Sequence, residues 1–379
     1  MISFFSNFIS EHQIPFSNAM YKKTNGDYRF IATEPMSDLR KSQNFIDQTD
    51  TLGYVVKSYE NESSYKEAMR IGLESDVVIT GNAPDEFIIE RIKQGKLTFR
   101  YGERYFKEGR WRILDPRVLI GCYNRDIKYR KNKNMYMLCC SAYAADDCRF
   151  IHSYPNRTYK WAYFTDVSTI PLSDIITMKR KNQRIKILWV SRFISLKHPE
   201  EVINLAKQLK EEQYSIEIEM VGIGELRKQY EKIAEELDLD DVLQFSGPFH
   251  QETVFEKMRN ADIFLFTSDR QEGWGAVVNE AMTNACAVVA CREIGSVPFL
   301  IEDCINGMIY DRRGKASLYD CVCRLIDDAT FREELQQNAY KTMQEIWNAD
   351  VASDRLLELI SCIKTNKEIK YLSGPCSRA

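Results

Sequence analysis

The amino-acid sequence predicts an α/β protein of two domains, each a parallel sheet covered by helices. Three features predict it. The chain has 379 residues of which 44% are hydrophobic, enough for two separate cores. Short apolar runs of strand length alternate with amphipathic stretches, most regularly in the second half. Near the middle that alternation lapses into a polar interval, as a domain linker would.

In the first half, residues 2–8 and 28–33 read as strands around a helix from about 14 to 23. Residues 76–80 (DVVIT) give a third, buried strand and 136–141 (YMLCCS) a fourth. The interval 100–134 reads as loop-rich. Around 165–182 the chain turns polar, with Pro171 and the basic cluster from Lys179 to Lys181. This places the linker there and the domains at 1–175 and 183–347. Ile185–Val190 opens the second domain as a continuous apolar strand. Pro199, Glu200 and Glu201 suit a first helical turn, and Val202, Leu205, Ala206 and Leu209 then line one helix face. Strands at 216–221, 242–245, 262–266 and 287–290 follow, with helices at about 225–237, 252–260 and 274–285 between them. Repeated βα order implies parallel strands with right-handed crossovers, hence two Rossmann-like domains. A late helix from about 351 to 365 packs back onto the first.

Aromatic and apolar content argues against a disordered chain, and no run reaches the roughly 18 residues of a membrane span. Residues 1–8 lack the basic region and cleavage site of a signal peptide, so the expected location is the cytoplasm. The eleven cysteines are odd in number and contain no CxxC pair; Cys139 and Cys140 are adjacent, and Cys321 and Cys323 are one residue apart. They read as reduced core thiols. The four histidines, His12, His152, His198 and His250, show no metal-ligand spacing, and no metal is expected.

The net charge of −3 hides an asymmetry: residues 1–180 carry 27 basic and 22 acidic side chains, residues 181–379 carry 25 and 33. Within 100–136, eleven Lys or Arg stand against four acids, interleaved with Tyr101, Tyr105, Phe106, Trp111, Tyr123, Tyr129 and Tyr136. This patch suits an anionic membrane surface or a phosphate-bearing acceptor. No nucleic-acid recognition motif accompanies it, and no nucleic-acid partner is expected.

The segment with most chemical content is Glu272 to Glu280, EGWGAVVNE, between a strand and an apolar helix. Gly273 and Gly275 let the backbone turn tightly beside a ligand, Trp274 lies between them, and a new helix offers N–H groups to an anion. Treated as helix, the stretch would hold the two carboxylates up to ~12 Å apart, the span of a nucleotide sugar. Arg192 and Lys197 follow the first strand of the same domain, where an open α/β sheet binds its ligands and where two cations could hold a diphosphate. Gly222 and Gly224 follow the next strand and Gly247 the one after, each permitting close backbone approach.

Together, Ser191-Arg192 with Lys197, Val221-Gly222-Ile223-Gly224, Phe245-Ser246-Gly247 and the E-x7-E run from Glu272 to Glu280 resemble glycosyltransferase family 4, the group 1 glycosyltransferases of GT-B fold. The resemblance covers about 185–346. It implies two Rossmann-like domains facing across a cleft, a nucleotide-diphosphate sugar held mainly by the second, an acceptor addressed by the first, and metal-independent retention of configuration with no cofactor. Arg192 and Lys197 would hold the diphosphate, Glu272 would meet the transferred sugar and Glu280 the ribose. Many members carry a Gly-Gly loop after the first strand; here it is residues 7–15, NFISEHQIP. This resembles the bacterial polysaccharide-assembly members with a His-Gln pair, which makes His12 the candidate near the reacting centre. Asn82, Glu103 and Arg104 are acceptor-side candidates. The expected function is transfer of a sugar to a saccharide or lipid-linked saccharide in surface-polysaccharide or glycan biosynthesis, in the cytoplasm or peripheral on the inner face of the cell membrane. The alternatives are a nucleotide-sugar epimerase of the same fold and a non-catalytic nucleotide-sugar-binding protein.

Overall fold

The computed structural model describes residues 1–37, 47–314 and 316–379. The chain divides into two compact units, Met1–Asp166 with Trp347–Ala379, and Val167–Ile346.

The first unit is a seven-stranded parallel sheet of β1 (Ile2–Ser6), β2 (Tyr28–Ala32), β3 (Val55–Lys57), β4 (Val77–Thr80), β5 (Thr98–Gly102), β6 (Met135–Cys139) and β7 (Thr158–Lys160), in the order β3-β2-β1-β4-β5-β6-β7. β1 and β4 are buried along their whole length, as central strands covered on both faces require. Phe4 lies opposite Phe30 on one side and Ile79 on the other. The interval expected to be loop-rich instead holds the end of β5, the helix Pro116–Arg125 and two 3-10 turns. The last helix, Ala349–Lys364, packs on the helix Ile14–Lys23, with Lys23 Nζ 2.7 Å from Asp354 Oδ1. Beyond it the chain returns to the sheet: Cys376 N donates to Lys160 O (2.8 Å) and Lys160 N to Ser377 O (2.8 Å), so the open edge of β7 is covered.

The second unit is a six-stranded parallel sheet of β8 (Ile185–Val190), β9 (Ile216–Val221), β10 (Leu243–Ser246), β11 (Ile263–Phe266), β12 (Ala287–Cys291) and β13 (Met308–Tyr310), in the order β10-β9-β8-β11-β12-β13. The polar interval taken as the linker contains a helix of this unit, Leu172–Lys179, and the division of the chain falls earlier, at Asp166. Lys179 is not part of a solvated cluster. It is buried, and its Nζ donates to Met258 O (2.9 Å) and to Ala261 O at the C-terminal end of the helix Gln251–Asn260. Eight of the eleven free cysteines are buried; burial pushes the Cys139 and Cys140 thiols well above their ordinary range.

Candidate functional site

Where strand order reverses, the loops leaving the carboxyl ends of two neighbouring strands diverge and open a crevice. In the second unit those are the loops after β8 and β11. The first carries Arg192 and Lys197, the second Glu272, Gly273, Trp274 and Gly275. Lys197 Nζ is hydrogen-bonded to Glu272 Oε2, and the two side chains are only 12% and 16% exposed. The ammonium also stands 5.8 Å from the centroid of the Phe266 ring. A 3-10 turn, Ser195–Lys197, sets its position, and its carbonyl accepts from Thr267 Oγ1 (2.6 Å). Arg192 is exposed and makes no ion pair among the described residues.

Sequence reasoning missed the frame around this pair. His198, at φ +48° just before the helix Pro199–Glu211, lies 2.6 Å by Nδ1 from Glu200 Oε1 and 3.3 Å by Nε2 from Asp269 Oδ2. The bond to Glu200 raises the imidazole pKa, with Asp269 adding to it against burial and the charge of Arg312. Arg312 in turn pairs with Glu201 (2.5 Å) and donates to Thr267 O, bracing the β11 loop from behind. Only the tertiary fold brings these partners together.

The glycines let one loop pack closely on another. A Cβ on Gly224 (φ +155°) would lie 2.3 Å from Phe193 O, and one on Gly222 only 1.9 Å from Ser191 O, so both seat the loop that carries Arg192 against β9. Arg227 locks the same junction: its Nη1 donates to Gly222 O (2.7 Å), Gly247 O (2.9 Å) and Ser246 O (3.1 Å). Trp274 is wholly buried, its Nε1 donating to Asn279 Oδ1 (2.9 Å), and so supports the loop from the core instead of lining the crevice. Gly273 beside it is buried too. The helix expected from 274 begins only at Val277, so Glu272 lies outside it and the helical estimate of its separation from Glu280 does not apply. Glu280 sits in Val277–Thr283, 3.3 Å by Oε1 from Gln251 Nε2.

In the first unit the reversal lies between β1 and β4, and beside it is a cavity of about 470 Å³. All four first-domain candidates line it: His12 from the β1 loop, Asn82 from the β4 loop, and Glu103 and Arg104 after β5. His12 stacks on Tyr163 at 5.8 Å between centroids and lies 3.6 Å from Glu11 Oε1. Glu103 accepts from Tyr163 OH (2.7 Å) and from Lys107 Nζ (2.5 Å). Gln13, buried, accepts at Oε1 from Ser10 N (3.0 Å) and Ser10 Oγ (3.1 Å), which closes the turn that presents His12.

The basic, aromatic stretch divides by depth. Tyr101 and Phe106 are core residues, whereas Trp111 and Tyr123 are exposed along with Leu114, Leu119 and Ile120. Arg110, Arg117, Lys128, Arg130, Lys131 and Lys133 are exposed in the same stretch.

Residues 175–342 match the glycosyl transferases group 1 family. Curated relatives align over somewhat less than half of the chain. A D-inositol 3-phosphate glycosyltransferase of Thermomonospora curvata is 28% identical over 47% of this chain and 43% of its own length. An alpha-D-kanosaminyltransferase of Streptomyces kanamyceticus is 27% identical over 45% and 44%, and the amylovoran biosynthesis glycosyltransferase AmsK of Erwinia amylovora 26% over 47% and 45%. The chain thus spans under half the length of these curated relatives. Among solved structures, Anabaena HepE in complex with UDP superposes with a TM-score of 0.70 over 95% of this chain and 99% of its own, at 14% identity. WaaG, a glycosyltransferase involved in lipopolysaccharide biosynthesis, gives 0.62 over 95% and 100% at 15% identity. At those identities the likeness is one of fold, which is GT-B, and it extends over both units. Residues 175–342, within the second unit, thus carry the likeness to the group 1 glycosyl transferases.

Proposed function

We propose that the chain is a retaining, metal-independent glycosyltransferase that moves a sugar from a nucleotide-diphosphate sugar to a saccharide or lipid-linked saccharide. The observation that carries this is the partly buried Lys197–Glu272 pair at the strand-order reversal of the second sheet. Anabaena HepE, of the same fold, has been crystallised with UDP and with UDP-glucose, which supports a nucleotide-sugar ligand. A diphosphate entering beside Lys197 would take over from Glu272 as its counterion. Negative charge then grows on the β-phosphate as the anomeric C–O bond breaks, and Lys197 with Arg192 stabilises it more than in the ground state. The acceptor hydroxyl attacks from the face the diphosphate leaves and gives its proton to the departing phosphate oxygen, so configuration is retained and no outside base is needed. Glu272, once released from Lys197, would meet the sugar hydroxyls, and Glu280 the ribose. Acceptor binding falls to the first unit, with His12 near the reacting centre.

The test is a thermal-shift screen against a panel of nucleotide sugars, followed by nucleoside-diphosphate release with candidate acceptors. Release that depends on acceptor is the expected result. Conversion of the donor with no acceptor present would mark an epimerase, and binding without release in every case a non-catalytic binder; either overturns the proposal.

A lipid-linked acceptor places the enzyme at the inner face of the membrane, and the exposed surface of 110–133 supports this. Trp111, Leu114, Leu119, Ile120 and Tyr123 can enter the interface while the surrounding Lys and Arg meet anionic headgroups. No helix among the described residues is long and apolar enough to cross a bilayer, so the contact would be peripheral. Flotation with phosphatidylserine vesicles should fall roughly 100-fold in affinity when Arg117, Arg130 and Lys131 are neutralised together, at about 1 kcal/mol each. Equal flotation of parent and variant, or no preference over phosphatidylcholine, removes the membrane contact.

A further inference from the structure

His198 stands between the two loops that carry the Lys197–Glu272 pair. On one side it follows Lys197 directly and closes the 3-10 turn, its N–H donating to Ser195 O (3.1 Å). On the other its Nε2 lies 3.3 Å from Asp269 Oδ2. Asp269 opens the turn that ends on Glu272: its carbonyl accepts from Glu272 N (3.0 Å) and its Oδ1 from Gln271 N (2.8 Å). The Asp269 N–H also donates back to Leu196 O (2.9 Å). The imidazole is therefore a tie between the Lys197 turn and the Glu272 turn, and one that can titrate. At 23% exposed, the ring exchanges its proton with solvent. Its backbone is left-handed at φ +48°, a conformation that costs a side-chain-bearing residue energy and that the ring contacts offset.

Both ring nitrogens face carboxylates, Nδ1 at 2.6 Å from Glu200 Oε1 and Nε2 at 3.3 Å from Asp269 Oδ2. A neutral imidazole has one N–H and would turn a lone pair on one of the two carboxylates; the imidazolium donates to both. Arg312, from the loop after β13, also faces the ring, but its own charge is paired with Glu201 (2.5 Å). From the helix Arg227–Glu236, Tyr230 OH donates to the other oxygen of Glu200 (3.1 Å). The balance favours the charged ring: the Glu200 bond raises the His198 pKa against burial and Arg312, with Asp269 adding to it. Against burial, the same bond holds the Glu200 carboxyl below its ordinary range. From this arrangement we infer that His198, as the imidazolium, is a positioning residue: it clamps the Glu272 turn to the Lys197 turn and lets go when it loses its proton. The clamp stands on the geometry of the second unit; its effect on sugar transfer rests on the transferase reading. A group whose pKa is raised by the clamp favours it at low pH and loses it as pH rises through that raised value, so transfer falls on the alkaline side.

The test follows the full chain, His198→Asn and Glu200→Gln from about pH 5.5 to about 9, across the imidazole range, with circular dichroism confirming the fold. Asparagine tolerates the left-handed backbone but carries no charge, and Glu200→Gln keeps the ring while removing one carboxylate. Histidine NMR, with His198 identified by the signal that His198→Asn loses or Glu200→Gln shifts, should give a midpoint above that of ordinary imidazole. Inorganic pyrophosphate should bind the parent about 10-fold more tightly than His198→Asn at the acid end and equally at the alkaline end. Its own ionisation is common to both proteins and drops out of that ratio. Acceptor-dependent nucleoside-diphosphate release should be about 10- to 100-fold slower in His198→Asn at low pH, mainly in kcat, the scale of a misplaced catalytic pair. Glu200→Gln should move the NMR midpoint and the alkaline fall in release to lower pH together. A parent-to-variant ratio that stays constant with pH, or a His198 midpoint at or below the ordinary value, overturns the inference; if release still depends on acceptor, the transferase reading stands. A pyrophosphate ratio that collapses at the His198 midpoint without release from any donor keeps the clamp and overturns the transferase reading.

Discussion

Lys197→Ala should slow acceptor-dependent nucleoside-diphosphate release by roughly 10²- to 10³-fold, the scale of removing one preorganised donor from developing charge. The loss should fall mainly on kcat, because in the proposed mechanism the charge that Lys197 meets is larger in the transition state than in the bound donor. Lys197→Arg keeps a cation but cannot reproduce a point charge seated against Phe266, and should recover only part of the rate. The partner gives the sharper check. In the ligand-free chain the Lys197 ammonium is occupied by Glu272, so a diphosphate competes with a carboxylate for it. Glu272→Gln removes the competitor. It should bind nucleoside diphosphate more tightly than the parent and yet transfer sugar far more slowly, two effects of opposite sign from one substitution. Titration of the nucleotide beside single-turnover kinetics reads both. Transfer at the parent rate by a folded Lys197→Ala would remove Lys197 from the mechanism.

How much of this was legible depended on whether the signal is local. Strands such as Ile185–Val190 and Val77–Thr80 announce themselves because both faces are buried and the run is apolar throughout. β5 was overlooked because Arg100 stands at the centre of Thr98–Gly102. That arginine is 1% exposed, and its charge is met by Asp85 at 2.5 and 3.0 Å, fifteen residues away, which no local pattern announces. At the site, motif spacing located Lys197 and Glu272 but not their mutual pairing, which the adjacency of β8 and β11 creates. His12, Asn82 and Glu103 likewise meet in one cavity because β1, β4 and β5 are neighbours. Trp274 misled for a physical reason: glycines on both sides suggest an open loop, but the ring is turned inward onto Asn279. Arg227 and Arg312 were invisible because what they bind includes backbone carbonyls from loops far along the chain, and a carbonyl carries no sequence signature.

Arg91→Ala should cost the first unit about 3 to 5 kcal/mol, the range for truncating a large buried side chain and orphaning buried acceptors together. Arg91, on the helix Ile89–Lys93, is fully buried and stands at the opposite end of the sheet from the cavity. Its Nη1 donates to Gly72 O (2.7 Å) and Ser75 O (3.0 Å), its Nη2 to Leu97 O (2.7 Å) and its Nε to Thr98 Oγ1 (3.0 Å). One side chain thereby ties the end of the helix Glu62–Glu74 and the approach to β4 to the start of β5. Burial lowers its pKa to about 10, with Asp76 opposing, so it remains charged at neutral pH and its desolvation is offset by those four bonds and by the Asp76 charge. Alanine would leave Gly72 O and Ser75 O in the core without that donor, leave Leu97 O with Val78 N alone (3.3 Å), and open a cavity as well. Methionine, filling most of the volume, should recover the packing part alone and still be destabilised by the orphaned carbonyls. With two units in the chain, a single two-state fit is not warranted. Urea unfolding should show the first unit melting at lower denaturant in Arg91→Ala while nucleotide-dependent protection of the second unit is unchanged. A variant whose first unit unfolds at the parental concentration would show that water satisfies these carbonyls without the guanidinium.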